Sequence, residues 1–351
     1  MLMNLVDYVI KNANTSFQDL PFNQVDSAVL SQASYLDFNV ASGKTLGELA
    51  VSSRSENLYE GTWNPQGNRD LVEAFQSSKR FGGIRWTEFV NVTDCDKQYQ
   101  FSAVTYHLSD NLCFIAYRGT VASVVGWKED LNMSFMQTIP SQKMAVAYFM
   151  AVNKKNPNCQ FILGGHSKGG NLAEFVAAQL PNDLKDKIKM VYNLDGPGFR
   201  NDLSSKTDAK VLKMMPKNSV IGAILDESSD YQVVKSSKVG IRQHDLFTWQ
   251  VSGTAFIEEP DISRLSKGVS SLSSKFVVDL EDSAKEFYLD KLFSMISINE
   301  NTYWREVMTT RNGWLVVQRF LQTDAETKRK LFKTTVQLLS LAVARDASGS
   351  R

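Results

Sequence analysis

The sequence predicts an α/β fold, a mostly parallel sheet flanked by helices with helical N- and C-terminal additions, and three observations carry that expectation. Between about 100 and 255, short apolar runs alternate with helical patterns, as strands joined by crossover helices do. Phe161 to Ala173, FILGGHSKGGNLA, places an apolar run, a glycine-bounded turn and a helical pattern in direct succession, with Leu172, Phe175 and Val176 on one helix face. Both ends of the chain carry helical rather than alternating periodicity. The expected division is a helical segment over 1–90 that packs on the core, an α/β core over 91–258, and a helical extension over 259–351.

The elements follow in order. Val25, Ala28, Val29, Ala33 and Leu36 fall near one face of a helix. Gly61 to Gly67, GTWNPQG, reads as a loop, with Asn68 as the N-cap of RDLVEAFQ. From Ile84 the period becomes two. Gln100–Leu108, a turn at Ser109-Asp110-Asn111 and Leu112–Tyr117 form a hairpin that feeds a central strand. Ser141 is the expected N-cap of a helix bearing Met144, Ala147, Tyr148 and Val152. Ile188–Leu194 and Ser219–Leu225 read as buried strands, and His244 opens a final one, HDLFTWQV. Lys267 to Lys275 is serine-rich and reads as a linker or weak helix. Thr323-Asp324-Ala325-Glu326 is a capping box for a helix carrying Leu331, Leu338 and Leu339, and the tail DASGSR is expected to fray.

Composition narrows the function classes. Lys and Arg number 39 against 38 Asp and Glu, and no basic run stands out, so nothing suggests a nucleic-acid footprint. Cys95, Cys113 and Cys159 are odd in number and scattered, without zinc spacing, which favours a reducing compartment. The start, MLMNLVDYVIKNAN, carries Asp7 and lacks a basic leader, and no run approaches the ~20 apolar residues of a membrane span. The expectation is a cytoplasmic protein, with transient contact at a membrane surface left open and no metal or cofactor implied. Oligomeric state is not legible.

The chemistry centres on Gly165-His166-Ser167-Lys168-Gly169, which fits G-x-S-x-G, whereas the phosphate-loop pattern cannot be laid on it. A sharp strand-to-helix turn needs very small flanking residues and pushes the serine hydroxyl out at the strand's carboxyl end. The following helix aims free N–H groups at a developing oxyanion. A serine nucleophile needs a general base, usually a histidine held by a carboxylate. His166 sits on the turn itself and reads as structural. His107 precedes the serine and reads as packing or surface. Only His244 follows in the order serine, acid, histidine. Asp195, Asp226 and Asp230 each lie between Ser167 and His244, and spacing does not choose among them.

The chain resembles the class 3 lipases, and more closely a bacterial branch sharing that lipase-like α/β-hydrolase core. The matching pieces are AYRGT at 116–120, GWKEDL at 126–131, GHSKGG at 165–170, LDESSDYQVV at 225–234, and His244. The resemblance covers about 100 to 250. It implies an oxyanion hole from Thr120 and Lys168, and it favours Asp230 as the acid, with Asp226 second and Asp195 third. It also implies that Ala122 to Met136 is either an amphipathic lid or a packed connector. Lys168 stands where the family usually carries an apolar residue, which suggests a preference for anionic or polar head groups. The implied activity is a serine esterase acting on small-molecule esters or acyl lipids. Thioesterase, acyltransferase and peptidase chemistry are alternatives, as is a non-catalytic binding module on the same fold.

Overall fold

The computed structural model describes residues 2–41, 43–52, 56–121, 123–200, 210–226, 230–279, 281–296 and 310–333. The strands are β1 Arg85–Asp94, β2 Tyr99–Ser109, β3 Leu112–Tyr117, β4 Gln160–His166, β5 Ile188–Leu194, β6 Val211–Pro216 and β7 Gln232–Val234, with a small hairpin of β8 Val251–Ser252 and β9 Ala255–Phe256. The helices are α1 Leu5–Lys11, α2 Gln24–Ala33, α3 Leu49–Ser52, α4 Pro65–Gln76, α5 Val124–Asn132, α6 Pro140–Lys155, α7 Lys168–Gln179, α8 Asn182–Lys185, α9 Arg264–Asp279, α10 Asp282–Ile296 and α11 Thr310–Gln322.

The main sheet runs β1-β2-β3-β4-β5-β6-β7 in space as in sequence. β1 and β2, then β2 and β3, pair antiparallel, and every later pair is parallel. The sheet is thus mostly parallel with an antiparallel edge, and β4 lies at its centre. Alternation along β3 explains its two faces. Cys113, Ile115 and Tyr117 pack with Phe149 and Val152 of α6 and Leu172 and Val176 of α7. Phe114 and Ala116 face the other way, into a core shared with Leu5, Val29 and Phe75 from α1, α2 and α4. Each fully buried side chain of this size contributes about 1.5–3 kcal/mol. The helical segment before β1 therefore closes one face of the sheet. It is pinned by a buried ion pair, Arg80 Nη2 to Asp26 Oδ2 at 2.6 Å, and the Tyr8 hydroxyl also donates to Asp26 at 3.0 Å.

Several local expectations shift. Helix α4 starts at Pro65, not after Asn68. Its cap is Asn64, whose side chain accepts from Gly67 N at 2.8 Å, and proline at the first helical position suits that start. Asn68 is instead buried and accepts from Gln32 Nε2 at 3.0 Å. Helix α6 begins at Pro140 with Ile139 at the cap position, and Ser141 lies inside it. The segment 219–225 is a series of turns, although Ala223 and Leu225 are buried; the next strands are β6 and β7. His244 ends a 3-10 turn, Gly240–His244, and opens no strand.

The serine-rich stretch lies within α9. Its serines act as ties: Ser266 Oγ donates to Lys217 O at 3.1 Å, Ser270 Oγ donates to Asp226 O at 2.5 Å, and Ser273 Oγ accepts from Leu225 N at 3.0 Å. The helix over 325–333 is capped by Asp324, which accepts from Thr327 N at 2.8 Å, one residue later than the expected box. Leu338, Leu339 and the tail lie outside the described residues, as do 227–229 of the LDESSDYQVV piece. Among the described residues no helix is long and apolar enough to cross a membrane.

Candidate active site

Three adjacent strands deliver the site at their carboxyl ends. β3 leads to Thr120, β4 to Ser167 and β5 to Asp195. Ser167 has φ 58° and ψ −132°, a conformation that costs a non-glycine residue on the order of 1–3 kcal/mol and is held by its surroundings. Ser167 N donates to Leu194 O at 2.9 Å, and Gly170 N donates to Ser167 O at 2.9 Å. A Cβ on Gly165 would fall 2.4 Å from Tyr117 O, and one on Gly169 only 2.0 Å from the same atom. The two motif glycines are thus demanded by the approach of β3 and α7 around the turn. Ser167 caps α7 without a side-chain bond to the helix, which leaves its hydroxyl free of that duty.

His244 is bonded to Asp195, not to Asp230. His244 Nδ1 lies 2.6 Å from Asp195 Oδ2, and Asp195 is fully buried. A carboxylate facing Nδ1 places the proton there and leaves Nε2 bare. The second carboxylate oxygen accepts from Ser219 Oγ at 2.5 Å, and Ser219 Oγ in turn accepts from Gly222 N at 2.9 Å. Asp230 is exposed and precedes β7 at the sheet edge, three strands from β4, about 14 Å at normal strand spacing. Asp226 is taken by Lys213 Nζ at 2.6 Å. The structure thus brings Asp195, the third of the three candidates, to His244, because β5 and not β7 neighbours the serine strand.

His166 holds the other side of His244. Its Nε2 lies 2.8 Å from the carbonyl oxygen of His244, which can only accept, so Nε2 carries the proton. Nδ1 then accepts from the Tyr35 hydroxyl at 2.9 Å. Burial pushes His166 well below the ordinary histidine range, and neighbouring His244 pushes the same way, so the ring is neutral. His107 is a packing residue bonded to Thr87 Oγ1 at 2.9 Å.

Around Thr120, two contacts were not legible in the sequence. The Thr120 hydroxyl donates to both oxygens of Asp130, at 2.9 and 2.7 Å, and Trp63 Nε1 donates to Thr120 O at 3.2 Å. Burial lifts the Asp130 carboxyl to about 6, against the opposing pull of Lys168. The Lys168 side chain does not face the site. It is 1% exposed and runs to Glu129 Oε2 at 2.7 Å and Gln100 O at 2.9 Å. Only its backbone N–H, at the start of α7, remains available. A head-group role for its ammonium is therefore excluded.

The same contacts bear on 122–136. Glu129 of α5 is fully buried and also accepts from Gln100 N, Ser141 N and Ser141 Oγ at 3.1, 3.0 and 2.8 Å. From outside, α10 packs on α5 through Val124, Leu289 and Phe293, with Lys128 paired to Asp290 at 2.7 Å. Segment α5 is a packed wall. A cavity of about 380 Å³ lies beside it, lined by Ser167, His244, Thr120, Tyr35, Trp127 and Ile221 among others. The side chains of Ser167 and His244 thus open into one space. Among the described residues no cluster of three or more His, Cys, Asp or Glu side chains is placed to hold a metal.

The Mbeg1-like family profile matches residues 75–294, more than half of the chain, and takes in Thr120, Ser167, Asp195 and His244 but not Tyr35 or Trp63. The chain belongs to the Mbeg1-like family. No curated protein matches the sequence. Among solved structures, this Mbeg1-like chain is similar to a fungal lipase–inhibitor complex at 16% identity and TM-score 0.38, over 60% of this chain and 76% of that one. It is similar to a Rhizomucor miehei lipase propeptide complex at 16% identity and TM-score 0.35, over 55% and 67%. It is also similar to the Lip2 lipase from Yarrowia lipolytica at 10% identity and TM-score 0.32, over 60% and 77%.

Proposed function

We propose that this Mbeg1-like protein is a serine hydrolase that cleaves carboxylic esters of acyl lipids through Ser167, His244 and Asp195. The single observation that carries the reading is the 2.6 Å bond from His244 Nδ1 to buried Asp195, opening into the same cavity as the constrained Ser167.

The chemistry runs as follows. Bare Nε2 of His244 takes the Ser167 proton as Oγ attacks the ester carbonyl. The charge that develops on the carbonyl oxygen is held by the backbone N–H groups of Thr120 and Lys168, each such donor being worth about 10²–10³ in rate. Asp195 stabilises the imidazolium and fixes its tautomer. His244 then protonates the leaving alcohol, and water, activated by the same imidazole, releases the acid. Trp127 and Ile221 offer the cavity apolar wall that an acyl chain requires.

A fluorophosphonate probe should label the folded protein and fail on Ser167→Ala. A p-nitrophenyl ester series then reads acyl-chain preference. Absence of labelling on well-folded protein would leave a non-catalytic module on a hydrolase fold.

A further inference from the structure

Beside the cavity mouth, the segment between β7 and His244 has an unusual surface. Over 235–242 it reads KSSKVGIR, with three cations and no acid. Lys235, Lys238 and Arg242 are exposed, and no described carboxylate pairs with any of them. Between them project Val239, 77% exposed, and Ile241, 60% exposed. Gly240 at the tip has φ +62°, and a Cβ added there would meet nothing within 4 Å. Trp63, which lines the same cavity, is 56% exposed. Large apolar side chains at the tip of a loop are not left in water for stability's sake, and the unpaired cations around them ask for an anionic partner.

We propose that segment 235–242 is a docking ridge that seats the mouth of the site on an anionic lipid bilayer surface. Val239 and Ile241 enter the acyl boundary while Lys235, Lys238 and Arg242 meet the head groups. An apolar tip ringed by cations fits a charged amphiphile better than an acidic protein, whose surface offers no layer for the two aliphatic chains. The ridge ends two residues before His244, and Lys238, Ile241 and Arg242 line the rim of the same cavity, so docking would bring the cavity to the bilayer. This rests on the acyl-ester reading of the site for its purpose, but not for its test. Each Lys or Arg near an anionic leaflet strengthens binding about fivefold.

The test is vesicle sedimentation with full-length protein carrying Ser167→Ala, so that binding is read without turnover. Vesicles of phosphatidylcholine with 30% phosphatidylglycerol are compared with pure phosphatidylcholine. Retention on the anionic vesicles is expected, with at least a tenfold loss on pure phosphatidylcholine and a similar loss at high salt. Lys238→Glu with Arg242→Glu should lose at least about tenfold, and Val239→Ser with Ile241→Ser should also lose binding, with melting curves of both matching the parent. Equal binding to both vesicle types, or none to either, overturns the proposal. So does a charge reversal that abolishes binding while Val239→Ser with Ile241→Ser leaves it intact, which would mark a general polyanion patch. Esterase activity without vesicle binding sinks the ridge alone, and vesicle binding without fluorophosphonate labelling of the Ser167 protein sinks the hydrolase reading alone.

Discussion

The ring of His166 lies 4.3 Å from that of His244 and is bonded to its backbone carbonyl, so the residue before the candidate nucleophile positions the candidate base. The Tyr35 hydroxyl holds the opposite edge of that ring by donating to Nδ1 of His166. Tyr35→Phe removes one buried hydrogen bond, about 1 kcal/mol, and loosens the ring against which His244 is held. The expected outcome is a fall of about fivefold in kcat on a soluble p-nitrophenyl ester, with KM little changed. An unaltered kcat would show that His166 needs no hydroxyl to keep its place.

The acid is separable by a pair of variants. Asp195→Asn keeps the shape but allows the wrong imidazole tautomer, and in a comparable triad that change lowers kcat about 10⁴-fold. Asp230→Asn, on the exposed edge, should stay within about twofold, since surface substitutions away from a site rarely matter. Steady-state kinetics of the two proteins, measured side by side, reverse the assignment if the losses are reversed.

The buried pair of Lys168 and Glu129 makes a stability prediction. Lys168→Met leaves a carboxylate buried without its cation and should cost about 3–5 kcal/mol in urea unfolding. Adding Glu129→Gln should recover part of that loss, because a neutral amide oxygen still accepts from Ser141 N. Recovery by the second change is the diagnostic; an additive loss would mean the pair is not the source.

Asp130 gives a pH signature. Its carboxyl is raised in the folded state, by burial first, to about 6 from 3.8. A raised folded value means the folded protein holds the proton more tightly. Its stabilising contribution is complete below about pH 4 and is lost as pH climbs through about 6. Asp130→Asn lacks that loss. The melting temperature of the variant minus that of the wild type should therefore rise between pH 4 and 7, and a flat difference would refute the shift.

How much of this was legible in the sequence depends on how local each cause is. The hairpin, the parallel sheet and the turn at Ser167 rest on neighbours in sequence, and all are present. His244 could be singled out as a candidate because the chain has only three histidines. Its hydrogen-bond partner Asp195 could not be singled out, because order along the chain leaves three aspartates equal, while the sheet order that puts β5 beside β4 is a tertiary fact. The Lys168 partner lies 39 residues away and that of His166 lies 131 residues away, beyond any periodicity. The strand expected at 219–225 failed for a related reason. Ala223 and Leu225 are buried, but in a turn that α9 holds through its serines.

The brace of α10 on α5 has a consequence for where the working unit ends. Composition changes at Pro260, which invites truncation just before it. A chain cut there would lose Leu289, Phe293 and the partner of Lys128, and with them the outer support of the helix that carries Glu129 and Asp130. A portable version of this protein, for fusion or transplant, should therefore run at least through Ile296.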